Sequence, residues 1–374
     1  MIGASPLTGG NPIKPSAPAP EIPVPASRLR KNGDPTLKDV ARLAGVSLAT
    51  VSNVVNGKFG KMTEETRSSV ERAIASLSYR PAANARALRM DRRFIAGMLI
   101  IDPAASFLAN PFIAQLVAGY SNELWANGYS CLINGVRPEQ IESSTFVRYA
   151  QTDGLCVFQS GPANSRGSIL QRLSSLGEPI VAIEEPDLPE GDLASVRQDN
   201  FGSAAFLAGE LLRRGARTIR ILAPNWIWPA MQARVDGIEA TVRSKDPKVG
   251  VSVVSCGDGQ ADEAENVISR LLTTLSPGDC LIAGTDRMFH GLVRSLARHN
   301  TGSPPLLGAF RGIGDTTQSP PGLVTVYQPA YELGAQAAAK LMKRIADGAF
   351  EEIETVIPFT TVPADAHNSL LAAS

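Results

Sequence analysis

Hydroxyl and amide side chains are concentrated in one short stretch, SLATVSNVVNG, at residues 47–57. Ser47, Thr50, Ser52, Asn53 and Asn56 are small, polar and uncharged. Such side chains exchange hydrogen bonds with phosphate oxygens and base edges, and they also cap helices or bond to their own backbone. The residue types therefore favour either a polar contact surface for a polyanion or ordinary local capping.

Residues suited to catalysis or metal binding are sparse in the rest of the chain. Its 374 residues contain three histidines, at positions 290, 299 and 367, and no G-x-S-x-G or phosphate-loop motif. The four cysteines form no CxxC pair and suit a reducing compartment: Cys131, Cys156, Cys256 and Cys280. We therefore expect a protein that is not an enzyme, with no cofactor and no metal site.

Charge is unevenly distributed although the whole chain sums to zero. Residues 28–93 carry 14 Lys and Arg against 6 Asp and Glu, whereas residues 94–374 carry 21 against 29. A basic block on an acidic body indicates a polyanionic partner for the block, the alternative being a solvated basic surface.

Capping signals divide the basic block into short helices. Thr36 is a suitable N-cap for a helix over 37–44, which Gly45 ends. Ser47 can cap a second helix over 48–55, which ends at Asn56-Gly57. A third helix, after Thr63, runs to about Leu77.

The first two helices have the composition of a helix-turn-helix. Small residues, Ala41 or Ala44, stand where the helices would meet, and Gly45 supplies the turn. Val40, Val46 and Val51 would seal the pair, leaving the polar residues of the second helix to face outward.

From Ile95 onward, short apolar runs alternate with helical patterns. The runs predict strands near residues 95–101, 130–134, 154–159, 180–185, 218–224, 250–256, 279–284 and 305–310. Alternating strands and helices predict parallel, doubly wound sheets, and about 280 residues of this kind favour two lobes with a cleft. No apolar run is long enough to span a bilayer and no secretory signal is evident, so we expect a cytoplasmic protein without a membrane partner.

The motifs, in order, closely resemble the lactose-repressor (LacI/GalR) family from Thr36 to about residue 365. They include DVARLAGVS, TVSNVVNG, EETRSSVERAIASLSYRP, NARALR, IAGMLI, NPF, QDNFG, RVDGIEA, TDRMFHG and YQPAYELGAQAA. The resemblance implies an all-α helix-turn-helix headpiece and an α/β, two-lobed, periplasmic-binding-protein-like domain with two doubly wound parallel sheets. The expected domains are a disordered tail (1–35), the DNA-binding domain (36–80), a hinge helix and linker (81–93) and an effector and dimerisation domain (94–374).

The family also implies a function. We expect a sequence-specific transcription regulator, a repressor by family default, whose affinity for a pseudo-palindromic double-stranded DNA operator responds to a small-molecule effector. The C-terminal tail, 363–374, lacks a leucine heptad, so we expect a homodimer rather than a tetramer. The alternative is a sugar-like small-molecule binding protein without DNA regulation.

The resemblance places base reading on Leu48, Ala49 and Asn53. The family often has arginine where this chain has Asn53. Asparagine suits adenine or a contact with the DNA backbone alone, while Leu48 and Ala49 suit a thymine methyl group. The full set of expected headpiece contacts is Leu37, Ser47, Leu48, Ala49, Thr50, Ser52, Asn53, Asn56, Thr63 and Thr66. The candidates for phosphate contact among them are Ser47, Thr50, Ser52, Asn56, Thr63 and Thr66.

The segment YRPAANARALR, residues 79–89, resembles the family's hinge helix. Leu88 matches the leucine that wedges into the minor groove, and Asn84, Arg86 and Arg89 would lie along that groove. The alternative is a solvated linker with one incidental leucine.

The resemblance also predicts the effector site. Phe112 matches an aromatic residue that packs on the ligand, Glu184 an acidic position, and Arg234 a ligand-gripping arginine. Further expected contacts are Trp228, or its neighbour Trp226, together with Thr285 and Asp286.

Arg311 departs from the family pattern, which usually has aspartate there. With Arg234 it would form a clamp for an anionic effector. The alternative is that Arg311 pairs with Glu184 or Asp315, or points to solvent, leaving a neutral ligand.

Overall fold

The computed structural model describes residues 35–60, 62–80, 92–102, 106–160, 163–257, 261–298, 305–312 and 319–361. The chain divides into two compact units, Met1–Arg86 and Ala87–Ser374. The predictions for the tail (1–34), the hinge (81–91) and the C-terminal segment (362–374) lie outside the described residues.

The first unit contains three helices, α1 (Leu37–Ala44), α2 (Leu48–Val55) and α3 (Glu64–Ser76). Thr36 caps α1, and the Asp39 carboxylate accepts a hydrogen bond from the Thr36 N–H, which completes a capping box. Gly45 ends α1 with φ of 68°, a left-handed conformation that glycine adopts without strain. The predicted boundaries of α1 and α2 are confirmed.

Valines close the core of this helical headpiece. Val40, Val51 and Val70 are fully buried and come from α1, α2 and α3 respectively. Val46, in the turn, is partly buried against the same cluster. The predicted apolar seal is therefore confirmed, and three helices share it.

The second unit contains two parallel sheets. Their strands are β1 (Ile95–Ile101), β2 (Ser130–Val136), β3 (Leu155–Gln159), β4 (Ile180–Ile183), β5 (Leu193–Gln198), β6 (Thr218–Ala223), β7 (Gly250–Ser255), β8 (Asp279–Ala283), β9 (Leu306–Arg311), β10 (Val324–Tyr327) and β11 (Glu354–Ile357). The first sheet has the order β11-β5-β4-β3-β1-β2 and the second has the order β10-β9-β8-β6-β7.

Helices cover both faces of each sheet, as the doubly wound prediction requires. Separate apolar clusters fill the two faces of the first sheet and the two faces of the second. The main helices are Pro111–Ala126, Ala163–Ser174, Asn200–Arg213, Pro229–Lys245, Ala261–Leu272, Asp286–Arg298 and Ala330–Asp347, with a single turn at Thr145–Arg148 and 3-10 segments at Phe107–Ala109 and Pro138–Ser143.

Three strands were not predicted: β5, β10 and β11. β5 ends in Arg197-Gln198, and β10 and β11 have four residues each. Their short or polar-interrupted sequences lack a distinct apolar run. β10 and β11 are edge strands and β5 lies between β11 and β4, so pairing with neighbouring strands makes these segments strands.

The chain crosses between the two lobes three times. After β5 it enters helix Asn200–Arg213, which packs in the second lobe. After β10 it returns through helix Ala330–Asp347 to the first lobe. Beyond β11, Thr360 bridges back to Tyr327. Within the described ranges, no helix is long and apolar enough to cross a membrane.

Candidate DNA-reading helix and ligand cleft

The outward face of α2 carries the three residues predicted to read bases. Leu48, Ala49 and Asn53 are all exposed, while Val51 and Val54 of the same helix are buried in the core. The face is therefore available to a partner without unfolding the headpiece. It contains no charged side chain, so recognition by α2 would rest on amide bonding and apolar contact.

The hydroxyl residues at the helix starts have local capping partners. Ser47 Oγ accepts from Thr50 N at 3.1 Å, and Thr63 Oγ1 accepts from Thr66 N at 3.3 Å. Asn56 donates through its amide to the Ser52 carbonyl. The capping interpretation of these residues is thus correct, and it leaves hydroxyl lone pairs and exposed positions for a phosphate.

Leu37 is the first residue of α1 and is partly buried against the headpiece core. Its backbone N–H, at the start of a helix, is the group that it can offer to a phosphate. The other predicted DNA contacts, Asn84, Arg86, Leu88 and Arg89, lie outside the described residues.

A cleft cavity of about 770 Å³ opens in the second unit. It is lined by side chains that follow strands of both sheets, where ligands of open α/β sheets bind. Among the residues predicted for the effector site, the lining contains Phe112, Glu184, Trp226, Trp228, Arg234, Thr285 and Asp286. Seven further lining residues are polar or aromatic: Asp102, Asn110, Phe158, Ser160, Gln198, Arg287 and Gln328.

Glu184, Asn200 and Arg234 form a buried hydrogen-bond network beside this cavity. Glu184 accepts from Gln198 N at 3.0 Å and from Asn200 Nδ2 at 2.6 Å. Arg234 Nε donates to Asn200 Oδ1 at 2.9 Å. Glu184 has φ of 60°, a left-handed conformation that is uncommon for a residue with a side chain. The network holds the carboxylate at the cavity in that conformation.

The guanidinium of Arg234 has further protein partners. Nη1 donates to the Gly284 carbonyl at 2.7 Å, and the group lies 4.7 Å from the Phe310 ring centroid. With the Gln328 amide oxygen turned toward it, Gln328 accepts from Nη1 at 2.7 Å and Nη2 at 2.5 Å. Burial lowers the pKa of Arg234 to about 10, so it stays charged at neutral pH. Most of its donors are thereby engaged with protein atoms.

Aromatic rings provide the apolar part of the cavity. Asn110 caps helix Pro111–Ala126 by accepting from Phe112 N at 3.1 Å, which fixes the start of the helix. The Phe112 and Phe158 rings lie 5.6 Å apart between centroids. Trp226 and Trp228 contribute half-buried indoles. Such rings can cover an apolar face of a ligand.

Two further carboxylates line the cavity. Asp286 accepts from Gly312 N through both oxygens, at 3.1 Å each, and burial raises its pKa. Asp102 accepts from Ser160 Oγ at 2.6 Å and lies 3.6 Å from the Arg287 guanidinium. Burial likewise raises the pKa of Glu184. The cavity therefore offers more carboxylate acceptors than cationic donors.

The described contacts of Arg311 differ from those that the sequence led us to expect. It is buried and is absent from the described lining of the cavity. Its guanidinium lies 4.1 Å from the Phe289 ring centroid and donates to Ser319 Oγ at 2.9 Å. Its described contacts are therefore with Phe289 and Ser319, and they give the predicted clamp of Arg311 with Arg234 no support. Arg311 is buried rather than exposed to solvent, and the predicted pairing with Asp315 concerns a residue outside the described ones.

Sequence reasoning missed several polar residues that line the cavity or lie beside it. Gln198 and Asn200 stand at the first crossover, and Gln328 at the second, where the chain passes between lobes. Asp102 directly follows β1, and Arg287 lies in the first turn of helix Asp286–Arg298. The motifs QDNFG and YQPAYELG contained three of these residues and were the signal that could have identified them. Within the described residues, no group of His, Cys, Asp and Glu could hold a metal ion.

Comparisons with known proteins agree with this architecture. A family model described as bacterial regulatory proteins, lacI family, matches residues 36–82, and one described as periplasmic binding protein domain matches residues 104–349. The ribose operon repressor of Bacillus subtilis (strain 168) is 29% identical over 330 residues, covering 87% of this chain and 97% of that protein.

Two further similarities concern a repressor sequence and a solved fold. The HTH-type transcriptional repressor PurR of Vibrio parahaemolyticus serotype O3:K6 (strain RIMD 2210633) is 27% identical over 323 residues, covering 85% of this chain and 94% of that protein. The solved lac repressor dimer, bound to operator and the anti-inducer ONPF, has a TM-score of 0.71 at 20% identity, covering 88% of this chain and 98% of that one. A helix-turn-helix headpiece, followed along the chain by two parallel-sheet lobes around a cleft, therefore makes this chain a DNA-binding transcription regulator of the lacI family.

Proposed function

We propose that this protein is a homodimeric, cytoplasmic repressor that reads a pseudo-palindromic operator and responds to a small effector bound in the cleft. The observation that carries the DNA-binding part is the exposed face of α2, Leu48, Ala49 and Asn53, on a helix seated by its buried valines. The relatives from B. subtilis and V. parahaemolyticus are both named repressors, which favours repression over activation.

Readout by α2 would be modest in this protein. Asn53 can pair with an adenine through its amide, and Leu48 and Ala49 can contact thymine methyl groups. No arginine is present in α2 to read guanine. We therefore propose that the hinge contributes much of the specificity, with Leu88 as the minor-groove wedge and Asn84, Arg86 and Arg89 along the groove.

A twofold dimer follows from the weakness of a single small headpiece. Two headpieces related by a twofold axis contact half-sites about one helical turn apart. Because the two headpieces are linked, their weak individual affinities combine into a higher affinity for the whole site.

The effector proposed for the cleft is a polyhydroxylated ring. Glu184, Asp286 and Asp102 present carboxylate oxygens that accept from hydroxyl groups, while the rings of Phe112 and Trp228 can cover an apolar face. The B. subtilis relative, a ribose operon repressor, agrees with a sugar-like ligand. We infer binding without catalysis.

In vitro selection of random duplex DNA with the full-length chain tests the first part of this proposal. We expect a pseudo-palindromic consensus whose binding weakens steeply with salt, because phosphate contacts release counterions. Asn53→Ala and the exposed control Ser76→Ala separate base reading from general binding. A chain that enriches no sequence would instead support the alternative of a binding protein without DNA regulation.

The hinge has its own test on the selected duplex. Leu88→Ala is expected to lower operator affinity, by about tenfold for the loss of an apolar wedge, while sedimentation still shows a dimer. Leu43→Ala, which removes an exposed leucine of α1, serves as the control. Unchanged affinity of the Leu88 variant would remove the wedge from the proposal.

A further inference from the structure

A second cavity, of about 870 Å³, adjoins the cleft cavity. Asn110 and Arg287 line both, so the two cavities meet along these side chains. A ligand larger than one ring can therefore extend from the first cavity into the second. Ser106 and Val293 lie on opposite sides of the second cavity, one in each lobe.

The two cavities differ in charge. The first contains three carboxylates, Asp102, Glu184 and Asp286, together with two arginines. In the second, every titratable side chain among the described lining residues is basic: Arg287, His290 and Arg294. The two cavities thus favour different parts of a ligand, hydroxyl donors in one and an anion in the other.

The basic residues of the second cavity share one helix face. Positions 287, 290 and 294 in helix Asp286–Arg298 are spaced by three and four residues, which aligns their side chains. Arg287 is half-buried, and His290 and Arg294 are exposed. The three groups can approach one anion together without moving the backbone.

The acidic partners of these arginines lie outside the second cavity. Arg294 contacts Asp262 at 2.8 Å and Glu265 at 3.1 Å, and Arg287 is 3.6 Å from Asp102. A guanidinium has five N–H donors, so the two carboxylate neighbours of Arg294 and the one of Arg287 leave donors for a ligand.

We propose that the second cavity binds the phosphate group of an effector whose polyhydroxylated ring occupies the first cavity. The inference rests on the proposed function for the ring and adds the anionic group. Planar donor forks at Arg287 and Arg294, with an imidazole between them, match the several oxygens of a phosphate ester. Arg311, which the sequence suggested for this purpose, is replaced by residues of the helix that follows Thr285.

Matched ligands test this proposal on the full-length chain. Isothermal titration would compare a panel of aldoses with their terminal phosphate esters, and with the corresponding sugar acids as a carboxylate series. We expect at least one ester to bind about tenfold or more tightly than its free sugar, as charge-assisted hydrogen bonds imply.

Variants assign the gain to the second cavity. The double change His290→Ala and Arg294→Ala is expected to remove the advantage of the ester, about tenfold, while leaving affinity for the free sugar unchanged. Arg298→Ala is the matched control, because Arg298 is an exposed arginine of the same helix outside the described cavity lining. Both variants remove exposed side chains, and melting temperatures verify that they fold.

The outcomes separate this inference from the proposed function. Free sugars that bind as tightly as their esters would overturn the phosphate site and leave the proposed ring site standing. An ester advantage that survives the double variant would also overturn it. So would tighter binding, relative to the free sugars, of the sugar acids but not of the esters. A panel in which neither sugars nor esters bind would overturn the proposed polyhydroxylated effector itself, and the phosphate site with it.

Discussion

Polar side chains have opposite roles in the headpiece and in the cleft. At the start of α2, the N-cap Ser47 accepts a hydrogen bond from Thr50, three positions along the chain, and Asn53 of α2 is exposed. In the cleft, Glu184, Asn200 and Arg234 are buried and bond to one another across 16 and 34 positions of sequence. The headpiece displays its polar groups on a local scaffold, whereas the cleft depends on a network that several segments build together.

This difference has an energetic consequence. An exposed polar group exchanges protein partners for water at little cost, so its loss affects mainly binding. A buried network has no such replacement, because each removed member leaves its partners unsatisfied in a low-dielectric environment. Substitutions on α2 should therefore change DNA affinity alone, while substitutions in the cleft should change stability and effector binding together.

The largest effect is expected from a substitution in the valine core of the headpiece. Val51→Asp places a charge in the centre of its valine core, at a cost of about 3–5 kcal/mol for an unpaired buried charge. We expect DNA binding to be lost in gel-shift assays on the selected duplex. Val51→Ile is the control, and effector binding measured by calorimetry should survive in both variants. Loss of effector binding in the Asp variant would contradict the separation of the two regions.

A substitution at the centre of the cleft network should have the next largest effect. Arg234→Lys keeps the charge and loses the fork that joins Asn200, Gly284 and Gln328. We expect effector affinity to fall by about 10–100-fold and the free energy of unfolding to fall by about 2 kcal/mol. Arg172→Lys, at an exposed pair with Glu142, is the matched control. Basal binding to the selected duplex should persist, because the headpiece core is untouched.

On the reading face of α2, a smaller loss is expected. Asn53→Ala should cost about 1–3 kcal/mol on the selected duplex and relax the preference at one base pair of each half-site. Binding to unrelated DNA and the melting temperature should not change, because Asn53 is exposed. Repeating the selection with the variant measures this directly. An unchanged consensus would assign Asn53 to backbone contact.

The smallest effect concerns pH. Burial raises the pKa of Glu184 above its ordinary value in the folded chain, so the folded state retains this proton to higher pH than the unfolded chain. The contribution of Glu184 to stability therefore falls as pH rises through the interval between these two values. Glu184→Gln should gain stability relative to the wild type across that interval in thermal melts. Glu142→Gln, at an exposed site, should show no such trend.

Much of the fold could be predicted from sequence. The caps of α1 and α2, the valine seal and eight strands are local patterns, and the structure places them where those patterns indicated. β10 and β11 escaped prediction because their four residues carry too little periodicity, and β5 because polar residues interrupt it. Their positions depend on the strands with which they pair, β4 and β11 for β5, β9 for β10 and β5 for β11.

The site was predictable only in part. Residues that the family resemblance singled out, such as Phe112, Glu184 and Arg234, do line the cleft cavity. The stacking of Arg311 on Phe289 was not predicted, because a single position in a motif does not tell which neighbours a side chain contacts. That choice is made by the packing of neighbouring elements.

By itself the sequence determined the helix-turn-helix, because capping, turns and apolar spacing act within a few residues of one another. It also determined the alternation of strands and helices that requires two parallel sheets. Only the tertiary structure decided which polar residues meet: the crossovers bring Asn200 and Gln328 to Arg234, and one helix face brings His290 and Arg294 to the second cavity. The physical reason is that hydrogen bonds and charges act over a few ångströms in space, whatever the separation along the chain.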